Sequence, residues 1–231
     1  MDRVKGFLGL VEKVPRALDV GCGAGMSSLA LRELAQEVHG TDSSEEMLAA
    51  ARGKDKITYH PYPAEDLPFP TGFFDLITVS GALPWIDRDR FLTRAGKILS
   101  PGGWLIVYDN CILGRVKGRP DFGEWWDRVF EPRFPKPPRN VQPLTRSRVM
   151  GHGFDLAGQE EYTHELDFSM DRLIDLLLTE SRLADPVNRG LETEGGLRGW
   201  LADSLLPFFG PGPQTLIFGG EIVFLAKTAG A

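Results

Sequence analysis

The sequence predicts an α/β fold: a doubly wound, mostly parallel sheet of seven strands. Three observations predict it. Short apolar strands alternate with helix-forming segments over the first half of the chain, which is the rhythm of βαβ units. A glycine cluster, Gly21, Gly23 and Gly25, stands where the first strand turns into a helix. Asp42 ends the second strand, where a nucleoside-binding sheet carries its ribose acceptor.

Each element has its own signal. Phe7, Leu8, Leu10, Val11 and Val14 recur at near-helical spacing and stop at Pro15, so the chain opens on a short helix. Ala17–Val20 is a short, mostly apolar strand, and residues 26–36 are strong helix formers. Glu37–Thr41 reads as the second strand. Ser43 and Glu46 then have capping-box spacing and open a helix to about Arg52. Ile57–His60 is the third strand. Phe74–Val79, nearly all apolar, is the fourth, as a strand buried on both faces requires. Residues 87–99 read as a helix, Pro101–Gly103 as a turn and Trp104–Tyr108 as the fifth strand. Residues 118–143 hold Pro120, Pro132, Pro135, Pro137, Pro138 and Pro143, and read as a long loop with one short helix near Glu124–Val129. Glu161–Phe168 alternates as a strand, Met170–Ala184 is an amphipathic helix, and a second helix covers about Leu197–Leu206. Thr215–Leu225 is the closing strand, bulged or turned at Gly219 and Gly220.

Length and composition bound the function. The 231 residues suffice for a single domain spanning 1–231, and 42% hydrophobic with 25% charged residues is ordinary globular usage. With 26 basic against 32 acidic residues the formal charge is −6, which argues against nucleic acid or an anionic membrane as partner. Cys22 and Cys111 are too few for a disulfide framework or a zinc ribbon, and no metal is expected. The N-terminus lacks a signal-peptide core and no apolar run approaches the ~20 residues of a membrane span, so the expectation is a cytoplasmic protein.

The glycine loop discriminates between nucleotides. A dinucleotide fingerprint needs its third glycine at residue 26, and that residue is Met26. The spacing Gly-x-Gly-x-Gly therefore suits a ligand without phosphates. Asp42, 21 residues after Gly21, is placed to accept from both ribose hydroxyls. Taken singly, the loop reads equally as a plain turn and Asp42 as a helix cap. Taken together they point to a nucleoside cofactor at the carboxyl edge of a parallel sheet.

Leu18-Asp19-Val20-Gly21-Cys22-Gly23-Ala24-Gly25 resembles motif I of the class I S-adenosylmethionine-dependent methyltransferases. Asp42–Leu48 resembles their second motif. Ala64–Phe69 and Phe73–Ile77 resemble the third and fourth motifs of the type 11 branch, and Leu99–Gly103 the turn before their fifth strand. The last half is similar in layout to the small-molecule branch that includes trans-aconitate methyltransferases. The resemblance implies a Rossmann-like sheet with an antiparallel last strand, S-adenosylmethionine as cofactor and S-adenosylhomocysteine as product. It implies that Gly21, Gly23 and Gly25 pass under the cofactor and that Asp19 orients its amino end. It gives Asp42, with Ser43, the ribose and packs Met47 on the adenine, for which a core methionine is the plain alternative. Ala64 and Glu65 would rim the adenine, and the Ser80 backbone would receive the ammonium group. Many relatives carry Asp before the Ala-Glu pair; here it is Pro63, so Glu65 or Asp66 would have to replace its hydrogen bond.

Methyl transfer from a sulfonium needs positioning and desolvation more than a base. Candidates near the mouth are Trp85, Tyr108, Asp109 and His152, with Trp125 and Trp126 as pocket walls. His152 lies in Gly151-His152-Gly153 and reads equally as a surface side chain. Residues 112–153, inserted after the fifth strand, are expected to form a lid over a small-molecule substrate. Its basic residues, among them Arg115, Lys117, Arg119, Arg146 and Arg148, are candidates for a substrate carboxylate or for a solvated face. Two other readings stay open: a non-catalytic nucleoside-binding module, and a nicotinamide-dependent oxidoreductase, against which Met26 stands.

Overall fold

Leu18, Val20, Ile77, Val79, Leu105 and Ile106 are all buried in their strands, and strands apolar on both faces need helices on each side. The computed structural model describes residues 1–53 and 56–228. In chain order it contains α1 (Asp2–Leu8), β1 (Val14–Val20), α2 (Met26–Leu31), β2 (Ala35–Thr41), α3 (Glu45–Ala51), β3 (Ile57–His60), β4 (Phe74–Ser80), α4 (Arg88–Ile98) and β5 (Leu99–Tyr108). The second half adds β6 (Cys111–Val116), α5 (Pro120–Trp125), α6 (Glu131–Arg133), α7 (Arg146–Met150), β7 (Phe154–Phe168), α8 (Met170–Thr179), α9 (Ser181–Asn188), α10 (Glu194–Leu205) and β8 (Gln214–Lys227).

The chain divides into two compact units. The first comprises Met1–Asn110, Arg139–Glu161 and Glu221–Ala231; the second comprises Cys111–Pro138 and Tyr162–Gly220. In the first, the parallel strands run in the order β3-β2-β1-β4-β5. The later part of β8 closes this sheet antiparallel to β5, from Trp104 opposite Ala226 to Tyr108 opposite Ile222. Chain order runs outward from β1 in one direction and from β4 in the other, so the switch point lies between the carboxyl ends of these two strands. Phe91, Leu92, Ala95 and Ile98 of α4 pack on Ile77, Leu105 and Val107.

The second unit is built on its own core. Phe122 of α5, Trp126 and Phe130 of the following π-helical turn, Leu173 and Leu177 of α8, and Leu201 of α10 are all buried together. Within it, β6 pairs antiparallel with the first part of β8, Cys111 opposite Gly219 and Val116 opposite Leu216.

The α/β class, the mostly parallel sheet and the antiparallel closing strand agree with the sequence reading. Three details differ. Among the described residues there are eight strands, not seven; the additional one, β6, buries only alternate residues, and Gly114 and Arg115 interrupt its apolar pattern. The expected long loop over 118–143 contains α5, a π-helical turn and α6. Pro120 and Pro132 sit in first turns, where a missing N–H costs nothing, and Phe122, Trp126 and Phe130 recur every four residues on the buried side. The closing strand does not turn at Gly219: β8 runs through it, and a Cβ there would stand 2.4 Å from the Tyr162 carbonyl oxygen. The segment 112–153 is divided between the units, residues 112–138 in the second and 139–153 in the first.

His39 and His60 join β2 to β3. His39 Nδ1 and His60 Nε2 are 2.9 Å apart and share one proton, while His39 Nε2 meets Glu37 at 2.9 Å. Burial, and then the neighbouring His39, hold His60 below its ordinary 6.5. A base lowered by folding binds fewer protons folded than unfolded, so its contribution is complete above the unfolded value and is lost as pH falls toward the folded one. We expect stability to decline from about pH 7 to about pH 5.5, and His60→Phe, which retains a ring against Tyr62, to flatten that decline. Urea denaturation of both proteins at the two pH values checks this; equal declines would contradict it.

Candidate active site

The glycine loop is fixed from below by Asp19, which has no exposed surface. Its Oδ2 accepts from Ser27 Oγ at 2.6 Å and Ser28 Oγ at 2.7 Å, and its Oδ1 from Thr78 Oγ1 at 3.1 Å. Burial pushes its carboxyl above the ordinary range, and the three hydroxyls pull the other way. Asp19 therefore lies behind the loop and supports it. Asp42 holds the loop from the side. Its Oδ2 accepts from the Gly23 amide at 2.8 Å and its Oδ1 from the Ser44 amide at 2.9 Å. The cap of α3 is Ser44, whose Oγ accepts from the Met47 amide at 3.2 Å, one residue later than the expected Ser43; Ser43 itself is exposed.

Gly21 and Gly23 have φ of +67° and +52°, the left-handed region that glycine enters freely. A Cβ on Gly21 would stand 2.3 Å from the Cβ of Ala82, so the loop and the turn after β4 touch backbone to side chain. A Cβ on Gly23 would meet nothing nearer than the Met47 methyl at 3.8 Å. Gly25 forms the N-terminal cap of α2. Met47 is 47% exposed, which sets aside the core-methionine alternative. The structure thus brings Asp42 and Met47 to Gly23, and Ala82 to Gly21.

Behind the segment Ser80–Ala82 lies a second feature. A Cβ on Gly81 would stand 4.0 Å from Asp109 Oδ1, and the Gly81 amide donates to the Tyr108 carbonyl at 2.9 Å. Tyr108 and Asp109 line a cavity of about 200 Å³ with Leu83, Arg88, Leu144 and Glu221. All of these residues belong to the first unit.

Residues 18–107 match the family described as "Methyltransferase domain". The chain is 37% identical over 108 residues to a demethylmenaquinone methyltransferase of Thermus thermophilus, covering 43% of this chain and 49% of that one. It is 34% identical over 124 residues to a mitochondrial ubiquinone biosynthesis O-methyltransferase of Candida albicans, covering 49% of this chain and 35% of that one. It spans less than half the length of either relative. Over nearly the whole chain it is similar to a solved structure from Anaeromyxobacter dehalogenans, provisionally named a type II methyltransferase, with a TM-score of 0.72, 26% identity and coverage of 99% and 96%. Residues 18–107 are thus similar to methyltransferase domains.

Other expected residues take different places around this segment. Ala64 is buried, and Glu65 Oε1 accepts from the Asp87 amide at 2.7 Å, so Glu65 braces the start of α4. Of the two acidic residues after Pro63, Asp66 is the exposed one. Trp85 is 55% exposed, beneath the Arg139 guanidinium at 5.9 Å. His152 is tied to α4, with Nδ1 2.9 Å from Thr93 Oγ1 and Nε2 3.2 Å from Asp89 Oδ1. Trp125 and Trp126 pack in the core of the second unit, with Trp126 buried beside Phe130. The basic residues of 112–153 named above are largely paired: Arg115 with Asp127, Lys117 with Glu165, Arg119 with Asp121, Arg146 with Asp155 and Arg148 with Asp89. Arg88, which sequence reasoning passed over, is buried at the cavity instead; its only local sign is a place directly after the capping Asp87.

The two cysteines separate cleanly. Burial, then the charges of Asp19 and Asp42, push the Cys22 thiol up to about 12, whereas Cys111 is exposed. Iodoacetamide at about pH 8 is expected to alkylate Cys111 and spare Cys22 in the native protein, read by peptide mass spectrometry. Equal labelling of both would show that the loop around Cys22 is open.

Proposed function

We propose that the protein transfers a methyl group from S-adenosylmethionine to a small-molecule acceptor held in the cavity beside Asp109. One observation carries this reading. The turn Ser80–Ala82 packs against the glycine loop through Ala82 and passes Asp109, a cavity-lining residue, at Gly81, so one turn lies next to both the loop and the cavity.

The residues fit the cofactor. A Cβ on Gly23 would be in van der Waals contact with the Met47 methyl at 3.8 Å, and the exposed part of the Met47 thioether is available to the face of a ring. Each Asp42 oxygen accepts one amide and retains a lone pair, so the carboxylate can take both ribose hydroxyls. Gly21 and Gly23 would lie under the methionine portion, Ser80 would receive its ammonium group, and Asp66 replaces Glu65 as the acceptor for the adenine. When bound, S-adenosylmethionine supplies a methyl group on a cationic sulfur that carries its own leaving group. The chain then has to orient the acceptor and exclude water. Leu83, Val107 and Leu144 provide apolar walls, and Asp109 is placed to hold a proton from the acceptor atom. The relatives named for quinone biosynthesis are consistent with small-molecule methylation. Among the described residues no helix is long and apolar enough to cross a membrane.

Calorimetric titration with S-adenosylhomocysteine tests the reading. Wild-type protein should bind it in preference to NAD, and Asp42→Ala should weaken binding by roughly 1.5–3 kcal/mol through loss of a charged acceptor. An unchanged dissociation constant in Asp42→Ala would place the ribose elsewhere.

A further inference from the structure

The cavity lining contains a buried charged group. Arg88, the first residue of α4, is 4% exposed. Its terminal nitrogens donate to the main-chain oxygens of Gln142 and Asn140, and its buried Nε has no partner among the described residues. A guanidinium carries five N–H donors, so several remain unspent. Peptide carbonyls satisfy hydrogen bonds without cancelling a full charge, and a buried charge is stable when an opposite charge faces it. The charges acting on Arg88 are the like charge of Arg148 and the opposite charge of Asp109.

We propose that Arg88 determines which acceptors this cavity takes, by holding the carboxylate of a small and otherwise apolar molecule. The proposal rests on the reading of the cavity as the acceptor site. Leu83, Val107, Leu144 and Val223 supply apolar walls, Val141 stands 76% exposed at the rim, and Arg88 and Asp109 are opposite charges on the same lining. An acceptor fits between them with its carboxylate at Arg88 and its methyl-accepting atom toward Asp109 and Gly81. A neutral acceptor leaves Asp109 as the opposite charge acting on Arg88. A dianion meets Asp109 and Glu221 on the walls, which favours carboxylate over phosphate. A cation meets Arg88, while Glu221 already accepts from the Gln159 amide.

Benzoate, benzyl alcohol, benzylamine and phenyl phosphate share one apolar body and differ in charge. Each is titrated into the full chain saturated with S-adenosylhomocysteine, and binding is read by calorimetry. Wild-type protein is expected to bind benzoate about tenfold or more tighter than the other three. Arg88→Gln should remove that preference while leaving S-adenosylhomocysteine binding unchanged. If Arg88→Gln fails to fold, the charge series on the wild-type protein decides alone. Equal binding of benzoate and benzyl alcohol, a preference for benzylamine or phenyl phosphate, or no binding of any of the four would overturn the proposal. Failure of S-adenosylhomocysteine to bind, with the benzoate preference intact in the unsaturated protein, would overturn the cofactor reading and leave the Arg88 assignment standing.

Discussion

A carboxylate without solvent contact needs donors from the protein, and Asp19 takes three. Ser27 and Ser28 reach it from α2 and Thr78 from β4, while Asp19 itself belongs to β1. These bonds fasten both ends of the glycine loop to the two central strands, at the place where strand order reverses. Asp42 adds a third attachment through the Gly23 amide. A loop pinned at three points can hold three glycines in left-handed conformations without collapsing. Without Asp19, the hydroxyls of Ser27, Ser28 and Thr78 lose this acceptor, and the loop and the Ala82 contact lose their common support.

The division of labour follows from this attachment. The matched segment 18–107 contains β2, β3, β4, the end of β1, most of β5, the glycine loop and Asp42. The cavity draws on residues inside and outside that segment: Leu83 and Arg88 come from it, whereas Asp109, Leu144 and Glu221 do not. On the proposed function, a cofactor site assembled from early strands with an acceptor site completed by later ones would allow the acceptor to change while the cofactor chemistry stays the same.

The glycine loop and the place of Asp42 at the end of β2 were legible in the sequence because their signals are local. Glycines at a strand end, an acidic residue at the next strand end and apolar strands between them depend on neighbours a few residues away. Expectations failed where the deciding contact is distant. Six prolines over 118–143 read as loop, but the burial of Phe122, Trp126 and Phe130 against α8 and α10 makes helix there. Trp125 and Trp126 read as pocket walls because a pair of tryptophans suits a ligand, yet they serve the second unit's core. His152 was legible as a histidine between glycines, while its partners Thr93 and Asp89 lie 59 and 63 residues away in sequence. Arg88 resembled any surface arginine near a helix start, and only the tertiary structure buries it.

The central claim is that Gly23, Asp42 and Met47 hold the nucleoside of S-adenosylmethionine. Methyl NMR of the five methionines tests it most directly, since Met47 and Met26 are both exposed and flank the loop from different helices. On saturation with S-adenosylhomocysteine, the Met47 ε-methyl is expected to shift through the ring current of the adenine. Binding of S-adenosylhomocysteine that leaves the Met47 methyl unmoved would contradict the account.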